Sequence, residues 1–164
     1  MKDHTFELDL VWTGNRGTGT DTYRSYDRTH EVHIAGKPVL YGSSDPAFRG
    51  NADRHNPEDL MVAALSACHL LSYLHVCADA GIVVTAYEDH ATAVMTFTPN
   101  GGHFTDALLR PRVTIAAGDA AEAHALHERA HAGCFIAASV NFPVRCEPQI
   151  LVDAAPSSTP SPTA

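Results

Sequence analysis

The sequence has no basic stripe. Lys and Arg number 11 against 19 Asp and Glu, a net charge of −8 with His neutral. Such a surface repels phosphate backbones and anionic headgroups, which argues against nucleic acid and membrane surfaces as partners. A disulfide framework is missing too. The four cysteines, at 68, 77, 134 and 146, are irregularly spaced, and a chain of 164 residues buries roughly 70% of its unfolded surface without covalent staples. Reduced thiols in a cytoplasm fit this pattern. The opening MKDHTFELDL carries neither the apolar stretch nor the cleavage site of a signal peptide. Neither HExxH nor CxxC occurs, there is no internal repeat, and no cofactor is implied.

What is present begins with a long uncharged run. Leu60 to Ala78 contains no Lys, Arg, Asp or Glu, about the length of a bilayer span. Ser66, His69, Ser72 and His75 interrupt it, and its flanks are Asp59 and Asp79 rather than cations. It reads as the buried helix of a soluble protein. Asn56 can cap it, Pro57 suits the first helical position, Glu58 and Asp59 complement the helix dipole, and Gly81 stops it. Such a helix is ~36 Å long at 1.5 Å per residue, close to the ~40 Å diameter of a domain this size. Its apolar residues do not keep to one stripe, so it must be buried all round. One small chain has little material to wrap it, and a homodimer is the natural inference.

Around this helix, HTFELDLVWT (4–13) alternates as a half-buried strand with Phe6, Leu8, Leu10 and Trp12 on one face. GNRGTGT (14–20) is a turn before a second β-like segment at 20–34, and residues 36–57 are loop. Residues 82–99 make a bent strand or two, and 108–118 another strand. Asp119 starts a second helix that Gly133 stops. Residues 138–152 form a final strand with Pro143 and Pro148 at an edge or bulge. The order gives an α+β class, in one domain over residues 1–152 with a low-complexity tail, 153–164, expected to be disordered.

The chemistry centres on ALSACHLLSYLH (64–75). Unpaired cysteines often simply pack, and Cys77 and Cys146 are read that way. Cys77, nine positions after Cys68, points to the opposite side of the helix. Cys134 follows Gly133 at a helix end, a positioned thiol. A free thiol is only about 5% thiolate near pH 7.2. Cys68 lies about three turns into its helix, beyond the reach of the helix dipole, and burial would raise its pKa further. A reactive Cys68 therefore needs a cation from another segment: Arg16, Arg24, Arg49 or Arg54, held by a carboxylate such as Glu58. Full deprotonation gains ~20-fold, or about 1.8 kcal/mol, so the guanidinium must also orient substrate and stabilise a leaving oxyanion. A rival reading is a metal site. His124, His127, His131 and Cys134 fall at H-x2-H-x3-H-x2-C, with the histidines on one helix face, and His69 and His75 add more imidazole.

NPEDLMVAALSACH (56–69) and HAGCFIAASVNFPV (131–144) together resemble the two cysteine segments of the OsmC/Ohr family, the osmotically inducible and organic hydroperoxide resistance proteins. The likeness runs from about Phe6 to Val152. Its wording, CH and VNFP, is similar to an OsmC-like branch. The resemblance implies a fold of antiparallel sheets around central helices, in an intertwined homodimer with active sites at the interface. It implies a peroxidase in which Cys68 attacks the peroxide and becomes sulfenic acid, and Cys134 condenses with it to a disulfide that a dithiol, such as a lipoylated protein, reduces. NRGTGT resembles the family's arginine segment, which favours Arg16 with Arg24 in TYRSYDR as fallback, and Glu58 matches the carboxylate of NPE. His69 departs from the better-known members, which carry an apolar residue there. It is either a second helper or a residue turned away from Cys68, since helix neighbours diverge by 100°.

Overall fold

The computed structural model describes residues 3–153; the expected disordered tail beyond Asp153 lies outside them. Nine strands and two α-helices follow in the order β1 (Asp9–Trp12), β2 (His30–His33), β3 (Leu40–Gly42), α1 (Pro57–Asp79), β4 (Val83–Asp89), β5 (Thr92–Thr98), β6 (Gly101–Leu109), β7 (Pro111–Ala117), α2 (Ala120–Ala132), β8 (Val144–Cys146) and β9 (Gln149–Val152). The class is α+β. The chain divides into two compact units, residues 1–61 and 62–164, with the boundary inside α1.

The first unit holds the antiparallel sheet β1-β2-β3. The alternation of HTFELDLVWT is realised in the short strand β1, yet Phe6, Leu8, Leu10 and Trp12 are 93, 58, 61 and 42% exposed. A single thin sheet layer cannot bury its own face. The segment 20–34 is mostly an ordered turn, and only its end pairs as β2. The loop 36–57 gains the strand β3 and a 3₁₀ turn at Pro46–Phe48, capped when the Asp45 carboxylate accepts from Ala47 N at 2.7 Å.

α1 starts where its capping residues lie. Asp59 N donates to Asn56 Oδ1 at 2.7 Å, and Asn56 N returns a bond to Asp59 Oδ2 at 3.3 Å, a reciprocal cap that satisfies otherwise orphaned donors. Gly81, at φ +74°, turns the chain out, a conformation that costs glycine least. The helix is long and apolar enough to cross a membrane by length and composition. In the fold it is a core helix with a single buried stripe, Leu65, His69, Tyr73, Val76 and Cys77, the i, i+4, i+8 row of one helical face. Burial all round is not realised within one chain: Met61, Leu71 and Leu74 are exposed.

In the second unit β4-β7-β9 and β5-β6-β8 form two further sheets. The β4–β7 and β5–β6 pairs are antiparallel; the last strands, β8 on β6 and β9 on β7, add parallel pairs. The core joins Tyr73, Val76 and Cys77 of α1 to Val113 and Ile115 of β7 and to Ala123, Leu126 and Ala130 of α2. Two readings change. Leu108 and Leu109 end a strand of their own, β6, rather than beginning β7, because Thr98–Gly101 closes a hairpin between β5 and β6. The final strand is broken into β8 and β9 across Glu147–Pro148, since proline lacks the N–H a continuous ladder needs. α2 runs between the expected stops: Glu122 N donates to Asp119 Oδ1 at 2.8 Å, and Gly133 caps the other end.

Candidate functional site

Cys68 lies in the middle of α1, half-buried. Cys134 follows α2, is 1% exposed, and starts the short turn that leads to Ala137–Ser139. Both are free cysteines, and Cys68 is among the groups that act on the Cys134 thiol. Burial pushes the Cys134 thiol up, and neighbouring Cys68 raises it further, which favours its protonated form. Ala137 N donates to Cys134 Sγ at 3.4 Å and fixes the sulfur in its turn. The aromatic ring of the next residue, Phe135, is 82% exposed.

The arginine candidates belong to the first unit. In NRGTGT the Asn15 carboxamide oxygen accepts from Gly17 N at 2.8 Å and Gly19 N at 3.1 Å, and both glycines take positive φ. Arg16 Nε donates to Ser25 O at 3.1 Å, a terminal nitrogen bonds Arg24 O, and the Asp27 carboxylate lies at 3.8 Å. The guanidinium is thereby held in a shaped loop while half its side chain stays open to solvent. Arg24 itself is exposed. Glu58 stands at the second position of α1, half-buried.

A second convergence joins His127, a ligand candidate of the metal reading, to His69, read as a helper or a residue turned away, and to Cys146, read as packing. His69, one position from Cys68, is 1% exposed and aims its Nε2 at His127 Nδ1 of α2, 3.0 Å away. The Cys146 sulfur at the end of β8 lies 3.6 Å from His69 Nε2 and 3.9 Å from His127 Nδ1. The His127 ring is stacked between Tyr73, at 3.8 Å between centroids, and His69, at 5.3 Å. Tyr73 is tied in turn by its hydroxyl, which donates to Ala123 O at 3.0 Å. The outer ring nitrogens, His69 Nδ1 and His127 Nε2, are buried without a hydrogen-bond partner.

Burial shifts these groups toward their neutral forms. The His127 imidazole is pushed down to about 3 by desolvation first and by neighbouring His69 and His124 next. His69 is lowered by burial and by His131. The Cys146 thiol is pushed up to about 12 by burial and by the Asp89 and Glu147 carboxylates. Asp89 is fixed nearby: Ser66 Oγ donates to one carboxylate oxygen at 2.5 Å and Arg110 N to the other at 2.7 Å. A cleft of about 420 Å³ opens beside the cluster, lined by His124, His127, Glu128, His131 and Cys146 among others.

Of the H-x2-H-x3-H face, His127 alone turns inward to this cluster, while His124 and His131 line the cleft. The sequence signal for the cluster was a histidine within the apolar row Leu65, His69, Tyr73. Its partners, 58 and 77 positions away, carry no spacing that could have joined them.

The comparisons with known proteins bear on the fold and the family. The family model described as OsmC-like protein matches residues 50–149. No curated protein matches the sequence. Among solved structures, an OsmC-like protein of unknown function from Vibrio cholerae superposes with a TM-score of 0.80 at 26% identity, covering 90% of this chain and 100% of that one. An organic hydroperoxide resistance protein OsmC from Legionella pneumophila gives 0.64 at 19% identity, with 92% and 98% covered. The organic hydroperoxide resistance protein OhrB of Bacillus subtilis gives 0.59 at 19%, with 89% and 98% covered. With a family model spanning more than half of its length, and a fold shared along nearly the whole of these structures, the chain belongs to the OsmC-like family.

Proposed function

We propose that this protein is a thiol-dependent peroxidase that reduces organic hydroperoxides to alcohols. The observation that carries the reading is the pairing of two free cysteines near one another, a half-buried Cys68 and a buried Cys134 whose thiol is pushed up by burial and by Cys68. The names of the Legionella and Bacillus structures add support from the same fold.

In the proposed cycle the Cys68 thiolate attacks one peroxide oxygen and the O–O bond breaks. The alkoxide leaves as alcohol after taking a proton, and Cys68 becomes a sulfenic acid. The Cys134 sulfur then attacks the Cys68 sulfur, water departs, and a disulfide forms. One hydroperoxide and two thiols yield one alcohol, one water and one disulfide. A dithiol, for instance on a lipoylated protein, returns both cysteines to thiols.

Arg16 is the proposed cation that favours the Cys68 thiolate and the leaving oxyanion, with Arg24 as the alternative and Glu58 as the carboxylate that orients it. A homodimer is part of the proposal, since Leu71 and Leu74 of α1 and Phe135 are exposed in the single chain. An apolar surface of that kind is normally covered by a partner. The same apolar surroundings favour alkyl over hydrogen peroxide. The proposed compartment is the cytoplasm, where such thiols stay reduced.

The test is stoichiometric. Free thiols are titrated in the reduced protein before and after one equivalent of cumene hydroperoxide, beside Cys68→Ser. Rapid loss of two thiols in the wild type, abolished in the variant, is the expected result. Thiol counts unchanged over minutes would overturn the reading. Arg16→Ala should then slow the oxidation on the order of 10²-fold if that guanidinium stabilises the oxyanion.

A further inference from the structure

We propose that His69, His127 and Cys146 form a binding site for one divalent transition-metal ion of the zinc class, with a fourth coordination position facing the cleft beside α2. The site uses neither Cys68 nor Cys134 and stands independently of the peroxidase reading.

The first argument is the shape of the donor triangle. A tetrahedral ion with metal–nitrogen bonds of about 2.0–2.1 Å and a metal–sulfur bond of about 2.3 Å has edges near 3.3 Å between nitrogens and near 3.6 Å between nitrogen and sulfur. The structure shows 3.0 Å between His69 Nε2 and His127 Nδ1, and 3.6 and 3.9 Å from these atoms to Cys146 Sγ. Shifts of a few tenths of an ångström bring all three edges to the tetrahedral values.

The second argument is convergence. The three donors come from the middle of α1, from α2 and from the end of β8, so no local sequence pattern forces them together. They are also held in place before any ion arrives. His127 is stacked between Tyr73 and His69, and Tyr73 is anchored by its bond to Ala123 O. Preorganised ligands lose little freedom on binding.

The third argument is charge. The two nitrogen donors bind as neutral imidazoles, the form that holds a metal. Binding converts the Cys146 thiol to a thiolate and releases one proton to water, with no change in oxidation state. Two neutral imidazoles and one thiolate leave a divalent ion with one positive charge. The Asp89 carboxylate, fixed by Ser66 and Arg110 N, offers an opposite charge in the same part of the unit. The cleft lined by His124, Glu128 and His131 leaves room for a water, or for one of those side chains, as fourth ligand. Three protein ligands with an open fourth position is the arrangement of catalytic rather than structural zinc.

The test uses the full-length protein, reduced and stripped with a chelator, titrated with Co(II) and then Zn(II). The expected result is one equivalent of Co(II) per chain with a thiolate-to-cobalt charge-transfer band, displaced by Zn(II). The band should persist in a Cys68→Ser, Cys134→Ser double variant and vanish in Cys146→Ser. His127→Gln should weaken binding at least about 10-fold. A readout that needs no variant is alkylation mapped by mass spectrometry: one equivalent of Zn(II) should shield Cys146 while Cys68 stays reactive. No band in the wild type, a band that survives Cys146→Ser in a chain with unchanged circular dichroism, or zinc protection that falls on Cys68 instead would each overturn the proposal.

Discussion

Two sulfur sites are built on adjacent residues of one helix, and they share almost nothing else. At Cys68 a half-buried thiol meets a second thiol, Cys134, at the foot of α2. At His69 a fully buried imidazole meets another imidazole and a third sulfur, Cys146. The 100° between helix neighbours separates them: one position leaves the buried stripe, the other sits in it between Leu65 and Tyr73. The first places two free cysteines near one another, as thiol–disulfide chemistry needs. The second has neutral nitrogens and a converging geometry suited to a cation. The lesson is that histidine counts and cysteine counts say little, whereas the helical phase of each residue says a great deal.

The comparison breaks most sharply at Cys68. Cys68→Ser should reduce hydroperoxide turnover on the order of 10³-fold or more, because a hydroxyl replaces the proposed nucleophile; steady-state peroxide consumption with a dithiol reductant measures this. Next in size is the stripe that carries both sites. Leu65→Ala removes a side chain that is 1% exposed and should cost about 2–5 kcal/mol in denaturant unfolding. Leu71→Ala, at a position 67% exposed, should cost far less within a chain and should show instead in the equilibrium of the proposed dimer, measured by sedimentation. Tyr73→Phe keeps the ring against His127 but deletes the bond to Ala123 O, and should cost about 1 kcal/mol.

The smallest effect lies beside Cys146. Arg145 grips the Asp106 carboxylate with two bonds, at 3.0 and 2.6 Å, and holds it below the usual carboxylate range, chiefly through those bonds. A depressed folded pKa gives stability that is present above the unfolded value near 3.9 and is lost as pH falls through the folded value. Asp106→Asn should therefore lower the melting temperature slightly at neutral pH, and the difference should disappear in strong acid.

The parts of this arrangement that could be read from sequence are those written locally. Asn56, Pro57 and Gly81 mark α1, Asp119 and Gly133 mark α2, and the structure has both helices at those ends. The α+β class follows from the order of elements. Strand β6 was not legible, because Gly101, Gly102 and His103 look like loop and its buried residues, Ala107 to Leu109, gather at one end. The exposure of Leu10 and Trp12 was not legible either, since alternation reveals which residues share a face but not what covers it. Cys68 and Cys134 were singled out by motif. The cluster at His69 was hidden, because three residues from α1, α2 and β8 meet only through the tertiary fold.

The parallel pairing of β8 and β9 has a consequence for biosynthesis. One short segment, broken at Pro148, supplies the outer strand of two sheets, against β6 and against β7. Until it emerges from the ribosome, both of those strands present an open edge, and Cys146 is not yet in place. The second unit therefore closes late, by contacts between residues far apart in sequence, which makes folding slow and leaves the nascent chain exposed to edge-to-edge aggregation.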